Sequence, residues 1–379
     1  MPELTNERTV VVVLLAGALG GCGRSELLEA LPLAGAAGFE SPSSAAPDST
    51  GGISVVRPLD VVHGIEHIAL SGDYLFFSSN WNGVYRVPKT GGAVEVVEED
   101  HSAVFTALTA NSSEVLWERV RFDGQGYPYR TFLRRSTSLG PVATIVASDQ
   151  FDSLDKDGLL PADDAHVIVR HLQDQQAVAI SLSDATMVQV PTADSTMSTG
   201  FEDSGAFVLA GDTLFSEFCA ANSCELVQGK VTTGLEEMGI SMSWVPFGNG
   251  TGAPLAGVDE EHLYFFDLRR AWRLLRSDYT SVDIYRAPDD AFLQGPFAVD
   301  SSDVYFVTSD GKQDKLVAAA KAGQYGGGVR VLSTGRHLKT GPCEIAQDEQ
   351  NLFVLALTED SDEMGLTRFG GHPRSVESA

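Results

Sequence analysis

The sequence predicts an all-β fold in which short antiparallel sheets form a closed array. A phrase made of a polar turn and a short apolar strand recurs about every 46 residues, and no copy can bury its apolar face alone. The chain is also rich in turn residues, with 38 Gly and 16 Pro. We therefore predict a β-propeller of seven four-stranded antiparallel blades, with six or eight blades left open by irregular repeats. The copies are SGDYLFFSS (71–79), NSSEVLWER (111–119), DDAHVIVRH (163–171), AGDTLFSEF (210–218), DEEHLYFFD (259–267), SSDVYFVTS (301–309) and DEQNLFVLA (348–356).

The first repeat predicts the four strands of one blade at residues 65–70, 74–77, 84–89 and 93–97. Tight turns with Gly separate these strands, since Gly supplies the positive φ that hairpins need. Pro88 cannot donate to a strand ladder, and the pattern accordingly places it at a strand end.

The ring is predicted to close through an N-terminal strand. The last repeat has room for only three strands, and residues 54–62 form an extra strand before the first blade. Pairing this strand with the last blade removes two exposed sheet edges. The predicted propeller therefore covers 54–371.

A second phrase indicates a family. Tyr85-Arg86-Val87-Pro88-Lys89 precedes the Gly91-Gly92 turn, and 283–288 and 316–332 contain weaker echoes of it. The chain resembles exported bacterial β-propellers with repeats of the form Y-R-V-P-K-x-G-G, and it is loosely similar to the TolB-like propellers. The resemblance implies an exported propeller. Such families include enzymes, sugar binders and scaffolds, so it implies no single activity.

The N-terminus carries the features of an export signal. Residues 9–21 are apolar but too few to cross a membrane, which suits a signal-peptide core. Leu19-Gly20-Gly21-Cys22 resembles the bacterial lipobox, which implies lipid attachment at Cys22. An ordinary cleaved signal or a chance apolar start are the alternatives. Gly23 is not the aspartate that such families use for inner-membrane retention, which implies the outer membrane.

The remaining terminal segments are predicted to have no fold of their own. Residues 1–22 are the signal peptide and lipobox, 23–53 are a flexible tether rich in Ala, Gly, Ser and Pro, and 372–379 are a disordered tail.

Charge restricts the partners. The formal net charge is −26, which repels nucleic acid and anionic lipid surfaces. We expect a monomeric propeller bound to the membrane only by its lipid, with an envelope protein or a glycan as partner and with no cofactor. A highly charged, soluble surface or attraction for a basic partner both explain the charge.

Three cysteines follow Cys22. Cys219 and Cys224 bracket a turn after a strand, and a disulfide is the natural interpretation in an oxidising compartment, with reduced thiols or a metal site as alternatives. Cys343 is expected to be a buried apolar residue.

No catalytic motif stands out. The sequence has no G-x-S-x-G, H-E-x-x-H or C-x-x-C, and the glycine-rich 323–328 lacks the lysine of a phosphate-binding loop. Residues 152–158 look like part of a calcium loop, but the required first and last ligands are missing, which favours an acidic surface turn. We predict no catalytic or metal residues.

Propeller loops that connect second to third strands gather on one face, and exposed aromatics and arginines favour recognition there. Packing of the tryptophans between blades is the alternative. The expected function is a non-catalytic binding or scaffolding module, or a TolB-like assembly subunit. The enzymatic alternative is a hydrolase or lyase acting on polysaccharide or peptide with carboxylates at the channel. The predicted binding face contains Trp81, Tyr127, Tyr129, Arg269, Arg270, Trp272 and Asp310.

Overall fold

The structure is a computed structural model, and all of its regular elements in the described residues are β-strands. No helix among these residues is long and apolar enough to cross a bilayer. The described residues are 65–79, 82–148, 150–152, 162–171, 177–190, 206–220, 223–232, 240–244, 255–323, 328–335, 345–347, 351–357 and 364–370.

The first three blades are antiparallel four-stranded meanders in which each strand pairs with the next. Blade 1 contains β1 (Ile65–Ser71), β2 (Tyr74–Ser79), β3 (Gly83–Pro88) and β4 (Glu95–Glu99). Blade 2 contains β5 (Ala103–Ala110), β6 (Glu114–Phe122), β7 (Pro128–Ser136) and β8 (Ala143–Ser148). Blade 3 contains β9 (Phe151–Asp152), β10 (His166–His171), β11 (Ala177–Ser181) and β12 (Met187–Val190).

The second half repeats this arrangement and ends in a smaller sheet. Blade 4 contains β13 (Ala206–Ala210), β14 (Thr213–Ala220), β15 (Ser223–Lys230) and β16 (Ile240–Trp244). Blade 5 contains β17 (Leu255–Val258), β18 (His262–Phe266), β19 (Arg270–Leu275) and β20 (Ser281–Arg286). Blade 6 contains β21 (Phe292–Val299), β22 (Asp303–Ser309), β23 (Asp314–Ala320) and β24 (Val329–Gly335). The last sheet contains β25 (Ile345–Gln347), β26 (Asn351–Leu357) and β27 (Met364–Gly370).

The predicted blade count and the predicted closure need correction. The described residues form six four-stranded blades, so the prediction of seven such blades is wrong. The described residues of the last repeat form a three-stranded sheet between Ile345 and Gly370. The proposed closing strand, 54–62, lies outside the described residues, and nothing in the structure supports closure by it.

The sheets are arranged around a ring by their first strands. β1 neighbours β5, β13 neighbours β17, and β17 neighbours β21. The first strand of the three-stranded sheet, β25, lies beside both β21 and β1. The described ends of the propeller therefore meet by sheet-on-sheet contact.

Apolar side chains between neighbouring blades make up the core. Trp117 and Phe105 of blade 2 join Phe76 and Val84 of blade 1 in one buried cluster. Similar clusters lie between blades 2 and 3, 3 and 4, 4 and 5, and 5 and 6. Because both faces of a blade are covered, the second strands have nearly continuous apolar runs. These runs are the sequence phrase that predicted the fold.

The first predicted blade is confirmed almost residue for residue by β1 to β4, with Pro88 at the end of β3. The second phrase, Tyr-Arg followed by Pro, is a less reliable indicator of strand position. Tyr85-Arg86 lies on a third strand, whereas Tyr285-Arg286 lies on β20, a fourth strand. The similarity of these two segments is therefore one of sequence and not of position in the blade.

Candidate functional site

The candidate site lies on the face of the ring that carries the turns between the second and third strands of each blade. The predicted binding residues cluster at two of these turns, the β6–β7 and β18–β19 hairpins, with Asp310 at a third. The two hairpins differ in how their side chains are used. Trp81 lies outside the described residues.

The β6–β7 hairpin has long strands and a turn held by its own hydrogen bonds. Its two strands have nine residues each, more than any other described strand. Asp123 organises the turn: its Oδ1 accepts the backbone N–H groups of Gln125 (2.8 Å) and Tyr127 (2.9 Å). Gly126, at φ +84°, takes the left-handed conformation that the turn requires. The turn is therefore set by its own hydrogen bonds.

Three large aromatic side chains at this end are exposed. Tyr127 is 67% exposed, Phe122 52% and Tyr129 49%. In the register, Phe122 faces Pro128 and Tyr129 faces Arg121, so the two rings point to opposite faces of the hairpin. We call Phe122, Tyr127 and Tyr129 the aromatic tip. These exposed aromatic residues occupy both faces and the turn of one hairpin end, and exposed aromatic residues mark interaction surfaces.

An ion pair supports the tip from the side of blade 1. Arg121 donates through Nε to Asp100 Oδ2 at 2.9 Å, and Asp100 lies in the connection between β4 and β5. Partial burial disfavours the Asp100 carboxylate, but hydrogen bonds from Ser102 and Arg121 outweigh it and lower its pKa to about 2. The pair therefore stays charged over the physiological pH range.

A buried charge cluster lies below the tip. Glu118 is fully buried and accepts hydrogen bonds from Thr106 and from Arg130 Nη1, the latter at 2.9 Å. The same Arg130 nitrogen lies 2.8 Å from Asp152 Oδ1 on the first strand of blade 3. Burial raises the pKa of Glu118, although the charge of Arg130 opposes this. The cluster joins blades 2 and 3.

This carboxylate pair does not have the geometry of a hydrolase site. Two acids with separated pKa values are the usual arrangement in glycosidases. Here both acids share one guanidinium, and Glu118 has no exposed surface through which a substrate could reach it. A structural connection between blades explains the pair better.

The β18–β19 hairpin uses its arginines internally. Arg269 Nη1 donates to the carbonyl oxygens of Pro288 (3.3 Å), Asp289 (3.0 Å) and Ala291 (2.9 Å), which fixes the connection to blade 6. Arg270 Nη1 lies 3.1 Å from Asp283 Oδ1. Arg270 is therefore bonded within its own blade, whereas Arg269 holds the connection through one guanidinium nitrogen and remains exposed.

Trp272 is part of the core and not of a binding face. It is 5% exposed, stacks on Phe265 with ring centres 5.7 Å apart, and carries Arg270 above its ring at 4.2 Å. Its apolar cluster also includes Phe215 and Leu226 of blade 4. Packing between blades, the alternative left open by the sequence, is therefore the position of Trp272.

The other predicted residues have simpler positions. Asp310 is exposed and caps the β22–β23 turn, accepting the backbone N–H groups of Lys312 and Gln313 at 2.8 Å each. These two hydrogen bonds lower its pKa. Cys219 and Cys224 are directly opposite each other on β14 and β15. The structure describes the backbone of these two cysteines but not their side chains, so the disulfide stays a prediction.

Within the described part of the chain, no group of three or more His, Cys, Asp or Glu side chains could hold a metal ion. Asp152 is paired with Arg130, and residues 153–161 of the calcium-like segment lie outside the described residues.

Comparison with known proteins identifies the fold class. No family model matches the chain, and no curated protein matches its sequence. The β-propeller domain of the trilobed protease from Pyrococcus furiosus, which has an open velcro topology, is similar with a TM-score of 0.56 and 10% identity. The match covers 82% of this chain and 96% of that chain.

A chain of the mitotic checkpoint complex is similar with a TM-score of 0.54 and 11% identity, covering 88% of this chain and 99% of that chain. At such low identities the similarity shows the fold alone. The chain is an all-β propeller with four-stranded antiparallel blades.

Proposed function

We propose that the chain is a non-catalytic binding module of the bacterial cell envelope that docks a protein partner through the aromatic tip. The observation that supports this most is the exposure of Phe122, Tyr127 and Tyr129 on a turn already fixed by hydrogen bonds. Rigid aromatic side chains give contact area at a small cost in conformational entropy.

The charge of the chain indicates what kind of protein surface fits. A net charge of −26 repels acidic partners and attracts basic ones over a distance of about one Debye length. A partner with basic side chains around an apolar contact would therefore associate faster and be selected over acidic proteins.

The proposal includes attachment to the outer membrane through lipid on Cys22. The lipobox-like Leu19-Gly20-Gly21-Cys22 supports it, and the tether over 23–53 would keep the propeller clear of the membrane surface. Several acyl chains on one cysteine would bind firmly where a single chain would not.

The aromatic tip is tested with the triple variant Phe122→Ser, Tyr127→Ser, Tyr129→Ser. Val331→Ser is the control, because Val331 is 54% exposed on an outer strand away from the tip. Solubilised envelope proteins are captured on wild-type and variant chains at increasing salt. We expect a basic protein that binds wild type and Val331→Ser, is lost from the triple variant, and is released by salt. Equal capture by wild type and triple variant would contradict the proposal, and capture of glycan alone would change the partner class.

The anchor is tested separately with Cys22→Ser. We expect the wild-type chain to incorporate labelled fatty acid and to remain with the outer membrane, and the variant to do neither. An unlabelled wild-type chain would remove the anchor and leave the binding proposal standing.

A further inference from the structure

The junctions between blades share one backbone hydrogen bond and differ in the side chain that fills them. In all six four-stranded blades, the residue after the third strand donates its backbone N–H to a carbonyl in the first turn of the same blade, and in blades 3 to 6 these residues are Leu182, Val231, Arg276 and Lys321. We call these the junction residues. Their side chains reach the second strand of the preceding blade, so comparing them shows how each junction is filled.

Apolar junction residues fill two of the junctions. Leu182 shares a buried cluster with Leu116 of blade 2, and Val231 shares one with Ile168 of blade 3. Such junctions have ordinary core packing and no need for a ligand.

Lys321 fills the junction between blades 5 and 6 with charge. Its Nζ lies 4.9 Å from the ring centre of Tyr264 and 2.6 Å from Asp259 Oδ2. The hydroxyl of Tyr264 donates to the same carboxylate oxygen at 2.6 Å. Burial disfavours the Asp259 carboxylate, but these hydrogen bonds prevail and lower its pKa. The cation is thus neutralised within the protein.

Arg276 takes the equivalent position between blades 4 and 5. Its Cζ lies 4.9 Å from the ring centre of Phe215, the same distance that separates Lys321 from Tyr264. Ala210 opens the first turn of blade 4 by pairing with Thr213, as Asp259 does by bonding to His262 in blade 5. The carboxylate and hydroxyl of the neighbouring junction are therefore replaced by a methyl group and a bare ring.

These two differences leave Arg276 without a carboxylate. Its Nη1 donates to the carbonyl oxygens of Asp259 and Glu260, both at 3.1 Å, which fixes the guanidinium. Among the described residues, its Nε and Nη2 have no acceptor. A guanidinium has five donors and forms its strongest hydrogen bonds with a carboxylate.

A cleft of about 550 Å³ lies at this junction, in the size range of small-molecule sites. Arg276 lines it together with the exposed acids Glu260 and Glu261, so it has one more negative than positive charge. Its floor is formed by the buried Phe215, Leu226 and Leu263, each no more than 2% exposed, and its accessible apolar part by Leu275 and the ring of Tyr279.

We propose that this cleft binds a zwitterion with an apolar body, namely an α-amino acid or a short peptide. The ligand carboxylate accepts from Arg276, in the role that the Asp259 carboxylate has for Lys321 at the junction between blades 5 and 6. The ligand ammonium group pairs with Glu260 or Glu261, and the ligand side chain lies on the apolar part of the cleft. A simple anion is repelled by the two acids and by the net charge of −26, and a simple cation leaves the free donors of Arg276 without an acceptor. The site is independent of the aromatic tip.

Four probes test the chemistry by ligand-observed NMR and titration calorimetry on the full chain. L-Leucine and L-leucyl-L-leucine carry both charges, 4-methylpentanoate only the carboxylate, and 3-methylbutylamine only the ammonium group. We expect at least one zwitterion to bind about tenfold or more tightly than either half-ligand. Binding of none of them, or equal binding of zwitterion and half-ligand, would overturn the proposal.

Variants assign the ligand to the cleft. Arg276→Met keeps the stem and removes the donors, and we expect a loss of about tenfold or more in affinity for the zwitterion. Lys312→Met, the same change on the exposed β22–β23 turn, is expected to bind like wild type. Unchanged binding by Arg276→Met would show that the site is elsewhere.

Ala210→Asp restores the carboxylate found at the next junction. We expect it to pair with Arg276, abolish binding and keep the thermal midpoint at or above that of wild type. Ala210→Asn adds similar bulk without charge and is expected to keep more of the binding. Equal loss in the two variants would mean exclusion by bulk and would overturn the role given to Arg276.

Discussion

The β6–β7 and β18–β19 hairpins turn on the same face of the ring, and both carry aromatic and arginine residues near their ends. In β18–β19, Trp272 is buried and Arg269 is bound to three carbonyl groups of the next connection. In β6–β7, the strands continue beyond their neighbours and the aromatic tip stays exposed. Aromatic residues serve stability in one hairpin and are available for recognition in the other, whereas arginines of both hairpins are bonded within the protein.

The difference teaches that neighbours, and not residue type, decide whether an aromatic side chain is buried or exposed. Trp272 is covered because blade 4 supplies Phe215 and Leu226 beside it. Tyr127 lies past the ends of the adjacent strands, where no described residue covers it. Substitutions in the two hairpins should therefore separate stability from binding.

The largest effect is expected for Trp272→Ala, which leaves a cavity between blades 4 and 5. The free energy of unfolding should fall by about 3–5 kcal/mol, measured by chemical denaturation. Trp272→Phe, which keeps an aromatic ring against Phe265, should cost clearly less. A loss below about 1 kcal/mol for the alanine variant would contradict core packing of Trp272.

The next effect concerns the base of the exposed hairpin, and it depends on pH. Burial raises the folded-state pKa of Glu118, so the folded protein holds this proton more tightly than the unfolded chain. The contribution of Glu118 to stability is therefore fully present below the unfolded-state pKa and is lost as pH rises through the folded-state pKa.

Glu118→Gln removes this contribution. We expect the stability of wild type relative to the variant to increase as pH falls through that window, by up to about 1.4 kcal/mol per pH unit. Denaturation curves of both proteins at several pH values measure it. Parallel pH profiles for the two proteins would rule out a raised pKa at Glu118.

A smaller effect is expected for Arg269→Met. The variant loses three hydrogen bonds to the connection between blades 5 and 6, but the side chain is exposed to water there. The free energy of unfolding should fall by about 1 kcal/mol, and backbone amides over 287–291 should exchange hydrogen faster. The matched change at Arg286, 61% exposed on β20, should leave exchange in 287–291 unchanged.

The smallest effect on stability is expected at the aromatic tip. Each of Phe122→Ser, Tyr127→Ser and Tyr129→Ser should change the free energy of unfolding by no more than about 0.5 kcal/mol, because each side chain is at least 49% exposed. Losses above about 2 kcal/mol would show that the tip packs against the body and would end the contrast between the two hairpins.

The sequence located the second strands of all six four-stranded blades and of the last sheet, because a strand buried on both faces is an apolar run that no turn interrupts. It also found two of the three residues of the aromatic tip. It missed Phe122, because the sequence does not show whether an apolar residue at the end of a strand is buried or exposed. The signal was the register: Phe122 faces Pro128 at the open end of the hairpin.

The cleft at Arg276 could not be found in the same way. Arg276 follows a strand like any turn residue, and Ala210 is an ordinary residue before a Gly-Asp turn. The aligned phrases AGDTLFSEF and DEEHLYFFD already match Ala210 with Asp259 and Phe215 with Tyr264. Only the structure shows that the side chains of Arg276 and Lys321 reach these positions. The phrase over 283–288 misled for a related reason, because a short motif does not state which strand it occupies.

By itself the sequence determined that the chain forms repeated antiparallel sheets, since alternation, turn chemistry and burial act over a few neighbouring residues. Tertiary structure alone decided that six blades have four strands, that Trp272 is core and Tyr127 is surface, and that one junction is left open. These outcomes depend on contacts between side chains far apart in the chain, and a local sequence pattern does not show which distant residues will be neighbours.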